Sequence, residues 1–192
     1  MQLTDKNWKD ERKMKIQSRA AFAEVFFLLF VLLKQFYIFP SGGMGIADAC
    51  LLVSFFLLLF DCLKDRKNSF QFQEDRLLYV FLFFVIAINT CYGILLKKVE
   101  FFRYSAFWVY NVGAIWVFRS LTCWRGQRFL FLLNCAAKGN ILLQLLIYVS
   151  GHGRIFYEYW GAIRYQGTFN DPNQLAVFLF LMILLQYLYS CQ

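Results

Sequence analysis

The residues with the clearest chemical potential lie in one segment near the end of the chain, 164–174, with the sequence RYQGTFNDPNQ. Asp171 suits a helix N-cap, Pro172 suits the first helical position, and Gln174 completes the spacing of a capping box. A helix that begins there directs its free N–H groups and its positive dipole end outward. Arg164 can bind phosphate through two hydrogen bonds, and Gly167 lets the backbone approach a ligand closely. The pattern indicates an anion-binding site.

A purely structural interpretation of the same residues stays open. A carboxylate cap such as Asp171 partly cancels the helix dipole that an anion would use. An arginine at a membrane interface commonly extends to lipid phosphates, and a proline-containing cap commonly does no more than begin a helix.

The elements that must position this segment are membrane-spanning helices. Of the 192 residues, 60% are hydrophobic and 17% are charged, whereas a soluble domain is roughly 45–50% apolar and about 25% charged. One modest core cannot bury so much apolar surface, so the composition excludes a soluble globular protein, a disordered chain and a disulfide-stapled secreted domain.

A bilayer crossing needs ~20 largely apolar residues. Six segments qualify: 20–39, 44–63, 77–96, 104–118, 129–149 and 175–190. The predicted fold class is an all-α, polytopic integral membrane protein.

The distribution of lysine and arginine predicts the orientation. The side that holds the N-terminus carries 13 of these residues outside the spans, and the opposite side carries 5. Since basic loops remain in the cytoplasm, we expect a cytoplasmic N-terminus and, with six spans, a cytoplasmic C-terminus. Residues 1–19 form a basic cytoplasmic segment in this interpretation, and residues 20–192 form the transmembrane domain. Its long external loop, 150–174, is the first place to look for function.

Charge and cysteine content argue against two other classes of function. The net charge of +8 follows from basic inner loops, so we expect no nucleic-acid partner. The six cysteines make no CxxC pair, and His152 is the only histidine. We therefore expect neither a disulfide framework nor a metal site.

Charges inside the predicted spans need a reason, because a charge at the bilayer centre costs at least ~2.5–3.5 kcal/mol. Lys34 and Asp48 fall at similar depths on paired antiparallel helices, which predicts an ion pair. Lys138 falls near mid-depth of the fifth span, where it would pair with Asp48, line a polar cavity or meet a partner in a missing C-terminal half. Glu24 lies near the cytoplasmic end, from which we expect it to reach the interface. Lys34, Asp48 and Lys138 are the candidate intramembrane polar site.

The run RYQGTFNDPNQLAVFL resembles the signature of the O-antigen ligase/polymerase family, in which an arginine precedes a G-x-F-x-x-P-N element at an outer helix start. The layout is also similar, with a first helical hairpin closed by an outer FPSGG turn and an external loop before the motif helix. The resemblance implies a multi-pass glycosyltransferase of the bacterial inner membrane. Such enzymes take a glycan from undecaprenyl diphosphate and transfer it to lipid A–core or to another glycan, with no metal or cofactor.

On this resemblance Arg164 is the catalytic contact to the diphosphate leaving group, where a positive charge stabilises developing negative charge. Gly167, Phe169, Pro172 and Asn173 would form the substrate-binding junction around it. The implied partners are the undecaprenyl diphosphate-linked glycan, membrane lipids and a C-terminal half encoded separately.

The chain departs from the family pattern in one respect. Members usually carry more helices and a second outer loop with a histidine and further arginines, whereas His152 precedes the motif here. We do not assign His152 as a catalytic base. We expect the chain to correspond to the N-terminal half of such an enzyme, either truncated or encoded in pieces, and to be inactive alone.

Two alternatives remain from the sequence. One is a small six-helix transporter or lipid-binding accessory membrane protein, with Lys138 and Asp48 lining a substrate path. The other is a remnant whose helices insert without further function.

Overall fold

The structure, a computed structural model, describes residues 19–36, 45–64, 76–157, 159 and 161–191. It is mostly helical. Helix α1 covers residues 19–33, and five helices follow: α2 (Ile46–Lys64), α3 (Arg76–Leu96), α4 (Glu100–Arg125), α5 (Gln127–Val149) and α6 (Pro172–Ser190). An antiparallel pair of strands, β1 (Arg154–Tyr157) and β2 (Ile163–Gly167), lies between α5 and α6. The predicted basic segment, apart from Arg19, and the FPSGG turn lie outside the described residues.

Four of the described helices are long and apolar enough to cross a membrane: Ile46–Leu63, Arg76–Leu96, Gln127–Val149 and Pro172–Ser190. The chain is therefore a mostly helical, multi-pass membrane protein. The predicted span 20–39 overlaps α1, which ends at residue 33, and residues 37–39 of that span lie outside the described residues. The predicted span 104–118 falls within α4, which has 26 residues but is less apolar than the others. The count of six spans and the orientation of the termini stay predictions.

The hairpin of β1 and β2 departs from an all-α fold. The sequence predicts a loop over 150–174, whereas the structure pairs Phe156 with Arg164 and Tyr157 with Ile163. Aromatic and β-branched side chains favour strands. Gly161, at φ +83° between the strands, supplies a backbone conformation that other residues rarely adopt.

Helix α3 packs along α4 through a close contact. A Cβ at Gly93 would lie 2.9 Å from Cε2 of Phe102, so glycine allows the two helices to approach. The remainder of α3 presents large apolar side chains outward. A helix that is apolar all round and uncovered on its outer side is typical of a membrane span.

The core lies between the other helices. Its fully buried apolar members come from α1, α2, α4 and α5: Ala23, Leu58, Val117, Leu121, Phe129 and Ala137. Phe27 of α1 contacts Phe129 of α5 edge-on, with the ring centroids 5.8 Å apart. Close packing of this kind replaces the hydrophobic driving force that is missing between helices in lipid.

Ion pairs tie α1 to its neighbours at the turn end of the bundle, where Gly126 joins α4 to α5. Nε of Arg125 lies 2.7 Å from Oε2 of Glu24, and both side chains are buried. Nη1 of Arg19 lies 2.9 Å from Oδ1 of Asp61. The expectation that Glu24 reaches the interface is therefore wrong, because Glu24 is 2% exposed and Arg125 holds it inside the bundle.

We predict that Glu24→Leu lowers the free energy of unfolding by about 3–5 kcal/mol, because it leaves the Arg125 guanidinium buried without its carboxylate. Replacing both partners, as in Glu24→Leu with Arg125→Met, should restore most of that stability, since no buried charge remains. Denaturant unfolding in detergent micelles measures both. If the double variant is as unstable as the single one, packing rather than charge explains the loss.

Candidate functional site

Helix α6 begins as the sequence predicts. Asp171 is extended, with φ −147°, and its side chain accepts a hydrogen bond from the backbone N–H of Asn173 at 2.7 Å. Pro172 occupies the first helical position. The capping box does not close, because Oε1 of Gln174 is buried with no hydrogen-bond partner among the described residues. The predicted N-cap at Asp171 is confirmed. The predicted return hydrogen bond to the Gln174 side chain is wrong.

Two of the predicted substrate-binding residues are packed inside the protein. Phe169 is 2% exposed and lies against Phe178, with ring centroids 5.1 Å apart. Gly167 has φ +61°, and a Cβ there would lie 2.6 Å from Oε1 of Gln144. The close approach that Gly167 permits is an approach of the backbone to α5. Asn173, by contrast, is exposed at the start of α6.

A network of four polar side chains, here called the polar clamp, fastens this segment to the bundle: Gln35, Asn140, Gln144 and Thr168. Nε2 of Gln144 donates to Oε1 of Gln35 at 2.9 Å and to Oγ1 of Thr168 at 2.8 Å. Thr168 donates to the backbone carbonyl of Gln35 at 2.6 Å. Asn140 accepts from Nε2 of Gln35 and donates to the carbonyl of Val31, both at 3.0 Å. The clamp therefore joins the end of α1, α5 and the segment before α6.

The polar clamp is not predicted from the sequence. The available signal is the presence of amides within apolar spans, since such groups need partners inside the protein. Gln35, Asn140 and Gln144 are each at most 3% exposed. The bonds that join Gln35 to Asn140, Gln35 to Gln144 and Asn140 to Val31 each span more than 100 positions of the chain, so spacing alone does not pair these residues.

One face of the hairpin packs on α5. The ring of Tyr165 meets that of Tyr148 edge-on, with the centroids 5.0 Å apart. Gly153 leaves room for the Tyr165 ring, because a Cβ at that position would overlap it. Burial, followed by the neighbouring Tyr148, raises the pKa of Tyr165 above its ordinary value of 10.0. Tyr165 is therefore neutral at pH 7 and acts as a packing residue.

The opposite face of the hairpin carries two arginines. Arg154 and Phe156 lie two residues apart on β1, so their side chains are on the same face of the strand. Phe156 is paired with Arg164 across the ladder, which places the Arg164 side chain on that face as well. The ladder contains one β-bulge, whose extra residue is Gln166 of β2, between the cross-strand pairs of Tyr165 and Gly167. Because the extra residue is on β2, side chains of β1 still alternate between the two faces. All three residues are exposed.

Arg154 also reaches the start of α6. Its Nη1 donates to Oδ1 of Asn170 at 3.3 Å, and Asn170 directly precedes the N-cap Asp171. The exposed face of the hairpin therefore brings two cations, Arg154 and Arg164, to the motif segment. Of these two arginines, the sequence motif indicates only Arg164, because the position of Arg154 depends on the hairpin register.

The predicted ion pair between Lys34 and Asp48 is confirmed. Nζ of Lys34 lies 2.6 Å from Oδ1 of Asp48. The same oxygen accepts from the hydroxyl of Tyr110 at 2.6 Å, and Oδ2 accepts from the backbone N–H of Gly45 at 2.8 Å. Oδ1 thus joins α2 to Tyr110 of α4 and to Lys34, which follows α1, whereas Oδ2 binds the backbone directly before α2.

Lys138 lies apart from that pair. Its side chain is exposed on the outer surface of α5, and Asp48 is held by Lys34, so the pairing of Lys138 with Asp48 does not form. His152 is also exposed, with its Nδ1 3.0 Å from the carbonyl oxygen of Ser150. All six cysteines are free thiols.

The chain matches no family model, no curated protein and no solved structure. Functional inference therefore rests on the residues and their arrangement.

We predict that Gly167→Ala destabilises the hairpin end of the bundle, where β1 and β2 meet α5 and α6. The left-handed backbone of a non-glycine residue costs about 1–2 kcal/mol, and the new methyl group must also displace the Gln144 amide from the polar clamp. Gly161→Ala is the matched control, because Gly161 has φ +83° but nothing within 4 Å of a new Cβ. Thermal unfolding in micelles should show the larger loss for Gly167→Ala. Equal losses would mean that the contact with Gln144 is unimportant.

Proposed function

We propose that the chain binds the diphosphate of a lipid-linked glycan at the exposed face of its hairpin. In this proposal it serves as an O-antigen ligase/polymerase-type glycosyltransferase, or as the N-terminal half of one. The substrate is an undecaprenyl diphosphate-linked glycan at the outer face of the bacterial inner membrane, used in surface polysaccharide biosynthesis. The observation that carries the proposal is the placement of Arg154 and Arg164 on one face of the hairpin, beside the start of α6.

Two guanidinium groups suit a diphosphate. Each can donate paired hydrogen bonds to phosphate oxygens, and a charge-assisted hydrogen bond is roughly twice as strong as a neutral one. When the glycosyl–phosphate bond breaks, the negative charge on the leaving diphosphate increases. Cations already held in place by a hairpin stabilise that charge without reorganising.

The position of the hairpin also suits a polyprenyl substrate. It follows α5 and precedes α6, and both helices are candidate spans, so the hairpin lies at the depth of lipid headgroups if both cross the bilayer. A polyprenyl chain would remain in the hydrocarbon while its diphosphate met Arg154 and Arg164. The excess of basic residues on the opposite side supports an external hairpin.

The polar clamp supports the proposal because it makes the site rigid. It fixes Thr168 to α1 and α5, and Phe169 anchors the next position in the core. Gly167 and Phe169 would thus act by shaping the junction, with Pro172 and Asn173 at the helix start. Binding groups held by packed neighbours keep their productive geometry.

The described residues supply the leaving-group side of the reaction. Activation of an acceptor hydroxyl needs a base, and in the family that the motif resembles this base comes from a second half. In this proposal the present chain binds the diphosphate by itself. Glycan transfer requires both this chain and the second half.

The transporter alternative loses its main support. Its proposed path used Asp48 and Lys138, but both oxygens of Asp48 accept hydrogen bonds within the bundle. Lys138 points away from the bundle. A lipid-binding accessory role remains the second candidate, because the same arginine face would serve it.

A binding measurement tests the proposal. The chain is placed in lipid nanodiscs, and its affinity is measured for undecaprenyl diphosphate, with undecaprenyl monophosphate as the comparison. We expect Arg164→Ala and Arg154→Ala each to weaken diphosphate binding by roughly 10- to 100-fold, the loss that follows from removing a hydrogen bond to a charged group. Arg164→Lys should recover part of the affinity, because it keeps charge but loses the bidentate geometry.

Arg128→Ala is the matched control, since Arg128 is exposed at the opposite end of α5. Equal losses at Arg128 and Arg164, or equal affinities for monophosphate and diphosphate, would contradict a specific site. Transfer of lipid-linked glycan in native membranes then separates the two roles. Loss of transfer in Arg164→Ala supports the enzyme, and binding without any transfer supports the accessory protein.

A further inference from the structure

Lys138 is a charged side chain at the centre of a candidate membrane span. It lies at the midpoint of α5 (Gln127–Val149), about 16 Å from either end at 1.5 Å per residue. Within the four candidate spans, Asp48 and Asp61 are ion-paired, and Arg76 and Arg128 lie at helix ends. Lys138 is central and exposed, and it has no ion pair with any described residue.

The bilayer alone does not satisfy this lysine. A charge at the helix centre costs at least ~2.5–3.5 kcal/mol. The four-carbon stem of a lysine is much shorter than the ~15 Å half-thickness of the hydrocarbon core, so its ammonium cannot extend to the headgroups from the midpoint. An intramembrane partner with an acceptor group removes this cost.

The surface around Lys138 has the geometry of a helix–helix interface. Exposed side chains follow one stripe of α5 at helical spacing: Phe131, Cys135, Lys138, Leu142 and Leu146. Gly139 adjoins Lys138, and a Cβ added there would meet nothing within 4 Å. Small residues such as Gly139 and Cys135 let a second helix approach closely, as interfaces within membranes require.

We propose that this stripe docks a transmembrane helix of another polypeptide that bears an aspartate or glutamate at mid-depth. Charge complementarity selects the carboxylate, because it alone among side chains both accepts hydrogen bonds and neutralises the ammonium. The interface is separate from the hairpin, so it does not depend on the diphosphate site.

A second copy of this chain does not supply that carboxylate from its described residues. Glu24, Asp48 and Asp61 are buried in ion pairs of their own. Glu100 begins α4 and Asp171 precedes α6, so neither lies at mid-depth of a candidate span. We therefore assign the carboxylate to a partner helix rather than to a described helix of a second copy.

The test uses a synthetic leucine-based transmembrane helix with one aspartate at its centre. The labelled protein and the labelled helix are mixed in phosphatidylcholine vesicles, and energy transfer reports their association. We expect association roughly tenfold tighter than that of the same helix with leucine at its centre. Moving the aspartate to the end of the helix should abolish the gain, because it no longer matches the depth of Lys138.

Lys138→Met keeps the length of the side chain and should reduce association to the leucine level, whereas Lys138→Arg should retain it. Lys98→Met, at an exposed position between α3 and α4, is the control and should change nothing. Equal association of the aspartate and leucine helices would overturn the proposal, as would full association of Lys138→Met. Energy transfer between two copies of the protein that requires Lys138 would overturn it in favour of a homodimer.

Native membranes provide the second arm. Cys135, one turn before Lys138 on the same stripe, serves as the site for oxidative or bifunctional crosslinking. The proposal is supported if the linked chain carries an intramembrane carboxylate whose replacement by leucine lowers the yield. A linked chain without such a carboxylate overturns it.

Discussion

The need to satisfy polar groups inside an apolar bundle governs this structure. In hydrocarbon an unpaired amide or hydroxyl costs several kcal/mol, which favours partners from the protein, although Oδ1 of Asn134 and Oε1 of Gln144 have none among the described residues. The hydroxyl of Thr168 meets this need twice, since it accepts from Gln144 and donates to the carbonyl of Gln35. Through these two bonds the ends of α1 and α5 determine where the chain turns into α6. That junction in turn determines the positions of the hairpin, its arginine face and the start of α6.

The same need for partners applies to the charged residues of the bundle. Glu24, Asp48 and Asp61 are each matched with a cation from another helix, so the tertiary structure neutralises them. Such pairs are weak evidence of stability on their own account, but they define which helices are neighbours. Lys138 has no counterpart of this kind among the described helices. The bundle thus presents two surfaces of different character: a cationic one at the hairpin end and an apolar stripe with a central charge along α5.

Much of the fold could be predicted from local signals. Apolar runs indicate the helices, Asp171 and Pro172 mark the start of α6, and similar depth predicts the pair of Lys34 with Asp48. The missed features depend on long-range geometry. Gln35 meets Thr168 across 133 positions, and Arg154 joins Arg164 only through the hairpin register. Gly167 carries a signal of backbone freedom, but the sequence does not say whether ligand or protein approaches it. Position in the chain predicts an interfacial Glu24, because spacing does not reveal Arg125 beside it.

The separation between Gln35 and Thr168 also has a consequence for biogenesis. At a synthesis rate of about 5–20 residues per second, the 133 positions between them correspond to roughly 7–27 s of translation. During that interval the Gln35 carbonyl has already been made, but the Thr168 hydroxyl that donates to it has not. Water or the insertion machinery must solvate this carbonyl until Thr168 is made. The hairpin end therefore closes late, although Gln35 directly follows α1, the first of the described helices to be synthesised.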